Sequence, residues 1–165
     1  LGAFIVALSV IIAVHEYGHY IVGRWSGIHA DVFSLGFGPV IWSRVDKHGT
    51  RWQLAALPFG GYVKFMGDAD ATSVRQADVS GLSASERRHT MAGAPLWARA
   101  ATVAAGPVFN FFLSAVVFAG MNIMVVLLGV FSGLLFFKEK LKLPTAIGLV
   151  LGITSVACLA YAMSV

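Results

Sequence analysis

The sequence has little charge and one cysteine. Only 12% of its 165 residues are Asp, Glu, Lys or Arg, whereas about a quarter of a soluble domain is charged. The mean hydropathy is +0.78. This composition excludes an ordinary soluble domain and predicts an integral membrane protein. The single cysteine, Cys158, excludes an internal disulfide and a cysteine-based zinc cage.

The basic residues are unevenly distributed. Nine of the twelve Lys and Arg lie between Arg24 and Arg99, and the others are Lys138, Lys140 and Lys142. Six acidic residues interrupt the first block, so nucleic-acid binding is not expected. The positive-inside rule instead places both basic regions on the cytoplasmic side. No basic segment precedes the apolar run at Leu1, so this sequence gives no argument for a signal peptide.

Long apolar stretches predict a mainly α, polytopic membrane protein with about three to four transmembrane helices. Residues 1–22 are long enough for a first span across about 30 Å of hydrocarbon. Residues 100–137 contain no charge and allow two interpretations. The preferred one has spans at about 101–120 and 122–137, and the alternative is one long tilted helix. Residues 143–165 predict a last span, with Pro144 in its first turn.

A membrane-associated β-hairpin or small sheet is expected between the first and second spans, over residues 28–66. Residues 28–42 predict a hairpin with its turn at Gly36-Phe37-Gly38-Pro39, and residues 50–57 and 61–65 predict a second strand pair. The hairpin either dips beside the first helix and pairs with an extended peptide or is an ordinary surface hairpin. Residues 67–94 are expected to form a cytoplasmic loop containing a short helix capped by Ser83 and Glu86.

The first apolar stretch contains His15-Glu16-Tyr17-Gly18-His19. On a helix, residues four apart project from one face, so His15 and His19 can bind one Zn²⁺. Glu16 can then accept the proton of the attacking water. The alternative is a chance motif in a buried helix, but buried charge is costly in a membrane unless it is paired or bound to a metal. The other three histidines, His29, His48 and His89, are expected at the surface.

Asn110 is the notable polar residue of the second predicted span. It follows Gly106-Pro107, which permits a kink or a close backbone approach. A membrane amide needs a hydrogen-bonding partner. That partner is either another helix or a bound peptide backbone, and the sequence leaves both open.

Four ordered motifs together resemble the site-2 protease family of intramembrane zinc metalloproteases. They are HEYGH at 15–19, FSLGFGP at 33–39, LPFGGYVK at 57–64 and AAGPVFNF at 104–111. The resemblance covers about residues 1–120, a protease-like core with spans 1–22 and 100–120. It implies that His15 and His19 bind zinc, that Glu16 is the catalytic acid and base, and that 57–64 is an edge strand. It also implies that Gly36, Phe37, Gly38 and Asn110 contact substrate.

The same resemblance predicts function and location. It implies regulated intramembrane proteolysis of transmembrane substrate helices, such as anti-sigma factors. The partners are then a membrane-embedded protein substrate and the lipid bilayer. The chain is expected in the bacterial inner membrane, with residues 24–99 in the cytoplasm.

The sequence departs from the family pattern after the fourth motif. The family's PDZ domain and its third zinc ligand are not recognisable in these 165 residues. Glu139 is the only acidic residue after Gly120, and Asp68, Asp70 and Asp78 do not match the family's aspartate. The tail, 121–165, is left unmatched, and its residues 129–165 loosely resemble the last helical hairpin of drug/metabolite transporters. Two alternatives follow: a non-catalytic membrane binding protein, and a small transporter that uses Glu16 as its membrane carboxylate.

Overall fold

The computed structural model describes residues 2–68, 81–136 and 143–162. Its elements follow in the order α1 (Gly2–Trp25), β1 (Ala30–Val45), β2 (Arg51–Phe65), α2 (Ala84–Arg88), α3 (Leu96–Phe136) and α4 (Leu143–Ala162). The predicted mainly helical fold with a small sheet after the first helix is confirmed. The chain divides into two compact units, Leu1–Leu113 and Ser114–Val165.

Helix α1 ends in a glycine-based cap that leads the chain into the sheet. Gly27 has a φ of +82°, in the left-handed region that favours glycine. The N–H of Ile28 donates to the carbonyl of Gly23 at 2.9 Å, and the N–H of Gly27 donates to that of Arg24 at 3.0 Å. This pair of bonds is the Schellman motif. It turns Ile28 into the core, where the residue is buried.

The two strands form one long hairpin, and its turn is not where the sequence predicts it. The turn lies at residues 46–50, where the N–H of Asp46 donates to the carbonyl of Thr50 at 2.9 Å. Strand β1 runs directly into this turn, with Val45 opposite Arg51. The prediction of a turn at Gly36–Pro39 and of two separate strand pairs is therefore wrong.

Gly36 and Gly38 instead bend β1 near its middle. Both have positive φ, +89° and +83°. A Cβ at position 36 would lie 2.8 Å from the carbonyl oxygens of both Ala55 and Leu57. Two left-handed glycines separated by one residue change the direction of a strand without reversing it, since the chain continues extended to Val45. The first half of β1 consequently pairs with both 51–54 and 61–65 of the bent β2.

The core of the first unit lies where the end of α1, the sheet and the start of α3 meet. Its buried hydrophobic residues are Tyr20, Ile28, Ala30, Phe33, Val63, Phe65, Ala94 and Ala98. The rings of Tyr20, Phe33 and Trp52 contact one another, with centroids 4.3 to 5.8 Å apart. This packing fixes the second half of α1 against the sheet and thereby positions the HEYGH motif.

Asp46 ties the hairpin turn to α1. Its carboxylate accepts hydrogen bonds from the N–H groups of His48 and Thr50, the indole of Trp52 and the hydroxyl of Tyr20. Partial burial raises the pKa of this carboxyl, but the hydrogen bonds outweigh burial and hold the pKa below its usual value. The turn and the core aromatics are thus joined by one ionised side chain.

The predicted cap of the short loop helix is confirmed. The Ser83 hydroxyl accepts from the N–H of Glu86, and the Glu86 carboxylate accepts from the N–H of Ser83. These reciprocal bonds form the capping box of α2. The rest of the predicted loop includes Asp70 and Asp78, which lie outside the described residues, as do Lys138, Glu139, Lys140 and Lys142.

Helix α3 is continuous from Leu96 to Phe136. The preferred interpretation of two helices, at about 101–120 and 122–137, is wrong, because one helix continues through Asn122. The amide of Asn122 donates to the carbonyl of Phe118 at 2.7 Å, four residues earlier in the same helix. The one glycine nearby, Gly120, costs a helix only about 1 kcal/mol. The polar residue is satisfied without a break.

Two helices among the described residues are long and apolar enough to cross a membrane, Gly2–Trp25 and Leu96–Gly133. The second unit also contains α4, which begins at Leu143 with Pro144 in its first turn, as predicted. Residues 163–165 of the predicted last span lie outside the described residues. The expectation of three to four spans stays a prediction.

Candidate metal centre

The two histidines of the HEYGH motif converge through their Nε2 atoms. These atoms are 3.2 Å apart, and the ring centroids are 4.8 Å apart. Two nitrogens that bind one tetrahedral Zn²⁺ at ~2.0–2.1 Å are themselves about 3.4 Å apart. The pair formed by His15 and His19 therefore has the separation that a shared zinc ion requires.

Helix α3 fixes the ring of His19. The Nδ1 atom of His19 lies 2.8 Å from the backbone carbonyl oxygen of Thr102. A carbonyl can only accept a hydrogen bond, so the proton of the neutral ring lies on Nδ1. Nε2 of His19 is left with a free lone pair directed at His15. A backbone carbonyl as the partner of a ligand histidine is a common arrangement in metal sites.

Gly106 leaves the space beside the two rings. A Cβ at position 106 would lie 2.7 Å from Cε1 of His19 and 2.8 Å from Cε1 of His15. On α1, directly before His19, a Cβ at Gly18 would lie 2.8 Å from the carbonyl oxygen of Ala105 on α3. The two helices can approach this closely because both contact positions are glycine. The two converging nitrogen donors fit a zinc ion, and the glycine at position 106 lets α3 pack directly against both rings.

The ring of His15 contacts Asn110 on α3. The amide nitrogen of Asn110 lies 3.1 Å from Nδ1 of His15. The amide oxygen is buried and has no hydrogen-bond partner. The backbone of Gly106 also hydrogen-bonds the His15 ring. Asn110 thus lies behind the proposed ligand His15, while its predicted contact with substrate stays a prediction.

Glu16 faces a cavity of about 330 Å³ in the first unit. Its Cγ would lie 3.0 Å from a Cβ at Gly61, so the absence of a side chain there lets the carboxylate approach the sheet. His19 lines the same cavity. Its other lining residues are mostly apolar, namely Phe37, Gly61, Tyr62, Val63, Phe65, Met91, Thr102 and Val103.

The three residues of the predicted substrate-binding loop have different positions. Phe37 lines the cavity beside Glu16, and its ring stacks on Tyr62 with centroids 6.2 Å apart. Gly36 and Gly38 do not line the cavity and act as the bend of β1. The structure therefore brings His15, Glu16, His19 and Phe37 together, with Asn110 behind His15.

Sequence reasoning missed two contributors to the site. Thr102 acts through its backbone carbonyl, which no side-chain pattern reveals. Gly61 could have been suspected, because Gly60-Gly61 interrupts an otherwise apolar strand.

The other histidines lie apart from this centre, in a groove that Arg24 also lines. His29, His48 and His89 line this groove, and the Nδ1 atom of His89 bonds the carbonyl of Gly27 at 2.8 Å. Within the described ranges, no group of three or more His, Cys, Asp or Glu could hold a metal ion. His15 and His19 accordingly have no third protein ligand among these residues.

Comparison with known proteins gives related sequences. A candidate zinc metalloprotease of Agrobacterium fabrum is 57% identical over 119 residues, 70% of this chain and 31% of that protein. A similarly named protein of Rhizobium meliloti is 52% identical over 70% of the chain and 31% of its own length. The regulator of sigma-E protease of Salmonella typhimurium is 44% identical over 67% of the chain and 23% of its own length. The matched segment thus spans less than a third of each relative.

The model of peptidase family M50 matches residues 3–161. The match includes most of the tail, 121–165, so the expectation that the tail lies outside the family is wrong, and its loose likeness to transporters gains no support. With nearly the whole chain matched, the chain belongs to peptidase family M50, the site-2 protease family that its motifs resemble.

Proposed function

We propose that this chain carries the core of a zinc-dependent intramembrane endopeptidase. The observation that carries the proposal is the convergence of two histidine Nε2 atoms at 3.2 Å, with Glu16 between them in the sequence and facing a cavity. The names of the related proteins support it, since two are named as zinc metalloproteases and one as the regulator of sigma-E protease.

His15 and His19 would hold the zinc ion through Nε2. When bound, Zn²⁺ polarises a peptide carbonyl and makes water a better nucleophile at neutral pH. Catalytic zinc sites usually have three protein ligands. We expect the third from a residue outside the described ranges or from another segment of the protein.

Glu16 would act as the general base and then the general acid. Its carboxylate accepts a proton from the attacking water as the water oxygen bonds to the carbonyl carbon. It returns that proton to the amide nitrogen as the C–N bond breaks. The adjacent cavity, which Glu16 and His19 both line, provides the place where a peptide bond reaches both residues.

The substrate would enter this cavity as an extended strand. Segment 61–65 of β2 lines the cavity through Gly61, Tyr62, Val63 and Phe65. The same segment is an extended strand that pairs with residues 30–35 of β1. A helical substrate must unwind first, because its carbonyls are hydrogen-bonded within the helix. Strand addition to this segment would hold the unwound peptide, and the apolar lining favours apolar side chains.

The chain would function inside the bacterial inner membrane. Helices α1, α3 and α4 supply the apolar length, and the basic block from Arg24 to Arg99 supports a cytoplasmic position for the sheet and α2. Substrates would then be single-span membrane proteins, such as anti-sigma factors, cut within or next to their transmembrane helix.

The test compares two glutamate variants on a tagged single-span anti-sigma factor in proteoliposomes. Glu16→Gln should abolish cleavage while zinc binding is retained, because the amide accepts no proton. Glu86→Gln changes the exposed cap of α2 and should cleave like the unmodified chain. Full cleavage by Glu16→Gln would exclude the proposed role of this residue.

A second candidate is a membrane binding protein that does not cut. It is favoured by one observation: the described residues supply two metal ligands and no third. Zinc content and turnover separate the two candidates. One bound zinc per chain with turnover supports the protease, and binding of substrate without turnover supports the second candidate.

A further inference from the structure

Part of the wall of the cavity beside Glu16 comes from outside the sheet and the long helices. Met91 lies in the segment between α2 and α3 and lines this cavity. Glu16 and His19, two residues of the proposed catalytic centre, line the same cavity. A peptide placed for cleavage by these two residues would therefore also meet Met91.

The main chain around Met91 is held in place by hydrogen bonds. The N–H of Met91 donates to the carbonyl of Met66 at 3.2 Å, and the N–H of His29 donates to the carbonyl of His89 at 2.9 Å. Between them, Thr90 is fully buried. With residues 89–91 fixed against the end of the sheet, the side chain at position 91 determines how far this part of the wall reaches into the cavity.

Met91 can change in size without opening the core. Val63 and Phe65, which line the same cavity, are buried core residues, and Thr102 holds His19 through its carbonyl. Met91 is only partly buried and packs against the outside of that core. Its unbranched thioether side chain adapts to irregular gaps at low cost.

We infer that Met91 is a specificity-determining residue that limits the size of the apolar side chain accepted next to the cleaved bond. The rest of the wall is largely apolar, with Phe37, Val63, Phe65 and Val103, so a charged side chain would lose its hydration there without a partner. The inference rests on the proposed protease function and deepens it by naming the substrate class: peptides with an apolar side chain at this position. The competing explanation is that Met91 only supports the fold.

The experiment measures kcat/KM on the tagged single-span anti-sigma factor in proteoliposomes, after its cleaved bond has been located by mass spectrometry. The residues on the two sides of that bond are replaced in turn by alanine, leucine or tryptophan. Met91→Ala removes Cγ, Sδ and Cε and should shift the preference towards tryptophan by about 10-fold or more, the range for size changes in an apolar pocket. Met91→Trp should shift the preference towards alanine.

The opposite directions of these two shifts separate specificity from a structural role. Damage to the fold lowers kcat/KM for all substrates in proportion and leaves their ratio unchanged. Zinc affinity, measured by chelator competition, should be the same in both Met91 variants as in the unmodified chain. Met124→Ala is the matched control, since Met124 is exposed on α3 in the second unit, and it should keep the original preference. An unchanged ratio, or shifts in the same direction, overturns the inference.

Binding measurements separate this inference from the proposed function. The same substrates are bound in detergent to the Glu16→Gln chain with each Met91 change, so that no cleavage is needed. Opposite shifts in binding preference without any cleavage by the unmodified chain support the pocket and reject the protease. Cleavage by the unmodified chain with the same preference in all variants rejects the role of Met91 alone.

Discussion

Gly106 on α3 lies against His15 on α1 so closely that a Cβ at position 106 would be 2.8 Å from Cε1 of the ring. The distance is shorter than real Cβ contacts, so a side chain at 106 and the present position of the histidine exclude each other. The proposed metal-binding face of α1 is therefore shaped by a missing side chain on α3 as well as by its own residues.

Gly106→Ala should weaken zinc binding by at least about tenfold, as expected when ligands are displaced. The added methyl pushes both rings aside, whereas the helix itself gains from alanine. Zinc affinity by chelator competition gives the result. Gly120→Ala lies on the same helix with nothing within 4 Å of its Cβ and should bind normally. Equal zinc affinities in the two variants would contradict the proposed effect of the close contact between Gly106 and the two histidine rings.

Gly60→Ala should impair turnover without affecting zinc. A Cβ at position 60 would lie 2.8 Å from Cζ of Phe37, so the ring must leave its stack on Tyr62 and its place in the cavity. Loss of a pocket contact typically reduces kcat/KM by 10-fold or more. Turnover and zinc affinity are measured on the same preparation. Gly81→Ala, with open space around its Cβ, is the control, and matching kinetics in both variants would remove Phe37 from the pocket.

The Asp46 network predicts a pH dependence of stability. The lowered pKa of this carboxyl means that its stabilisation is complete above the unfolded value of about 3.9 and is lost as the pH falls through the lower folded value. Asp46→Asn should be less stable than the unmodified chain at pH 7 and should lose less stability on acidification.

Thermal midpoints from pH 7 to pH 3 give this comparison. The hydrogen bonds from Ser83 also lower the pKa of Glu86. Protonation of Glu86 on acidification therefore lowers the stability of both proteins in the same way. The difference between the two pH profiles therefore isolates Asp46. Parallel profiles would show that the network contributes nothing.

Removal of zinc should lower thermal stability reversibly. A ligand that binds only the folded state at 100 times its Kd stabilises it by about 2.7 kcal/mol. EDTA should lower the melting temperature, and excess zinc should restore it. His15→Ala should melt at one temperature under both conditions. A shift of the same size in His15→Ala would assign the effect to zinc bound elsewhere.

The sequence predicted local features well where neighbouring residues decide them. The capping box needs only Ser83 and Glu86, three residues apart, and it formed as expected. The first helix and the shared face of His15 and His19 follow from apolar length and helical spacing. The prediction of a turn near Gly36 was wrong. A pair of glycines indicates positive φ angles, but it does not determine the direction that the chain takes after them.

The interruption expected near Asn122 failed for a similar reason. A polar residue in a long apolar run suggests a boundary, but its amide found a partner four residues back in the same helix. Apolar length alone does not distinguish one helix of 41 residues from two joined spans.

By itself, the sequence determined the apolar class of this protein, the site-2 protease resemblance and the three motif residues His15, Glu16 and His19. Only the tertiary structure decided which groups stand behind them: the Thr102 carbonyl at His19, the Asn110 amide at His15 and the space at Gly106 and Gly61. The physical reason is that helical spacing is local, whereas ring orientation depends on contacts between elements more than 80 residues apart in the chain.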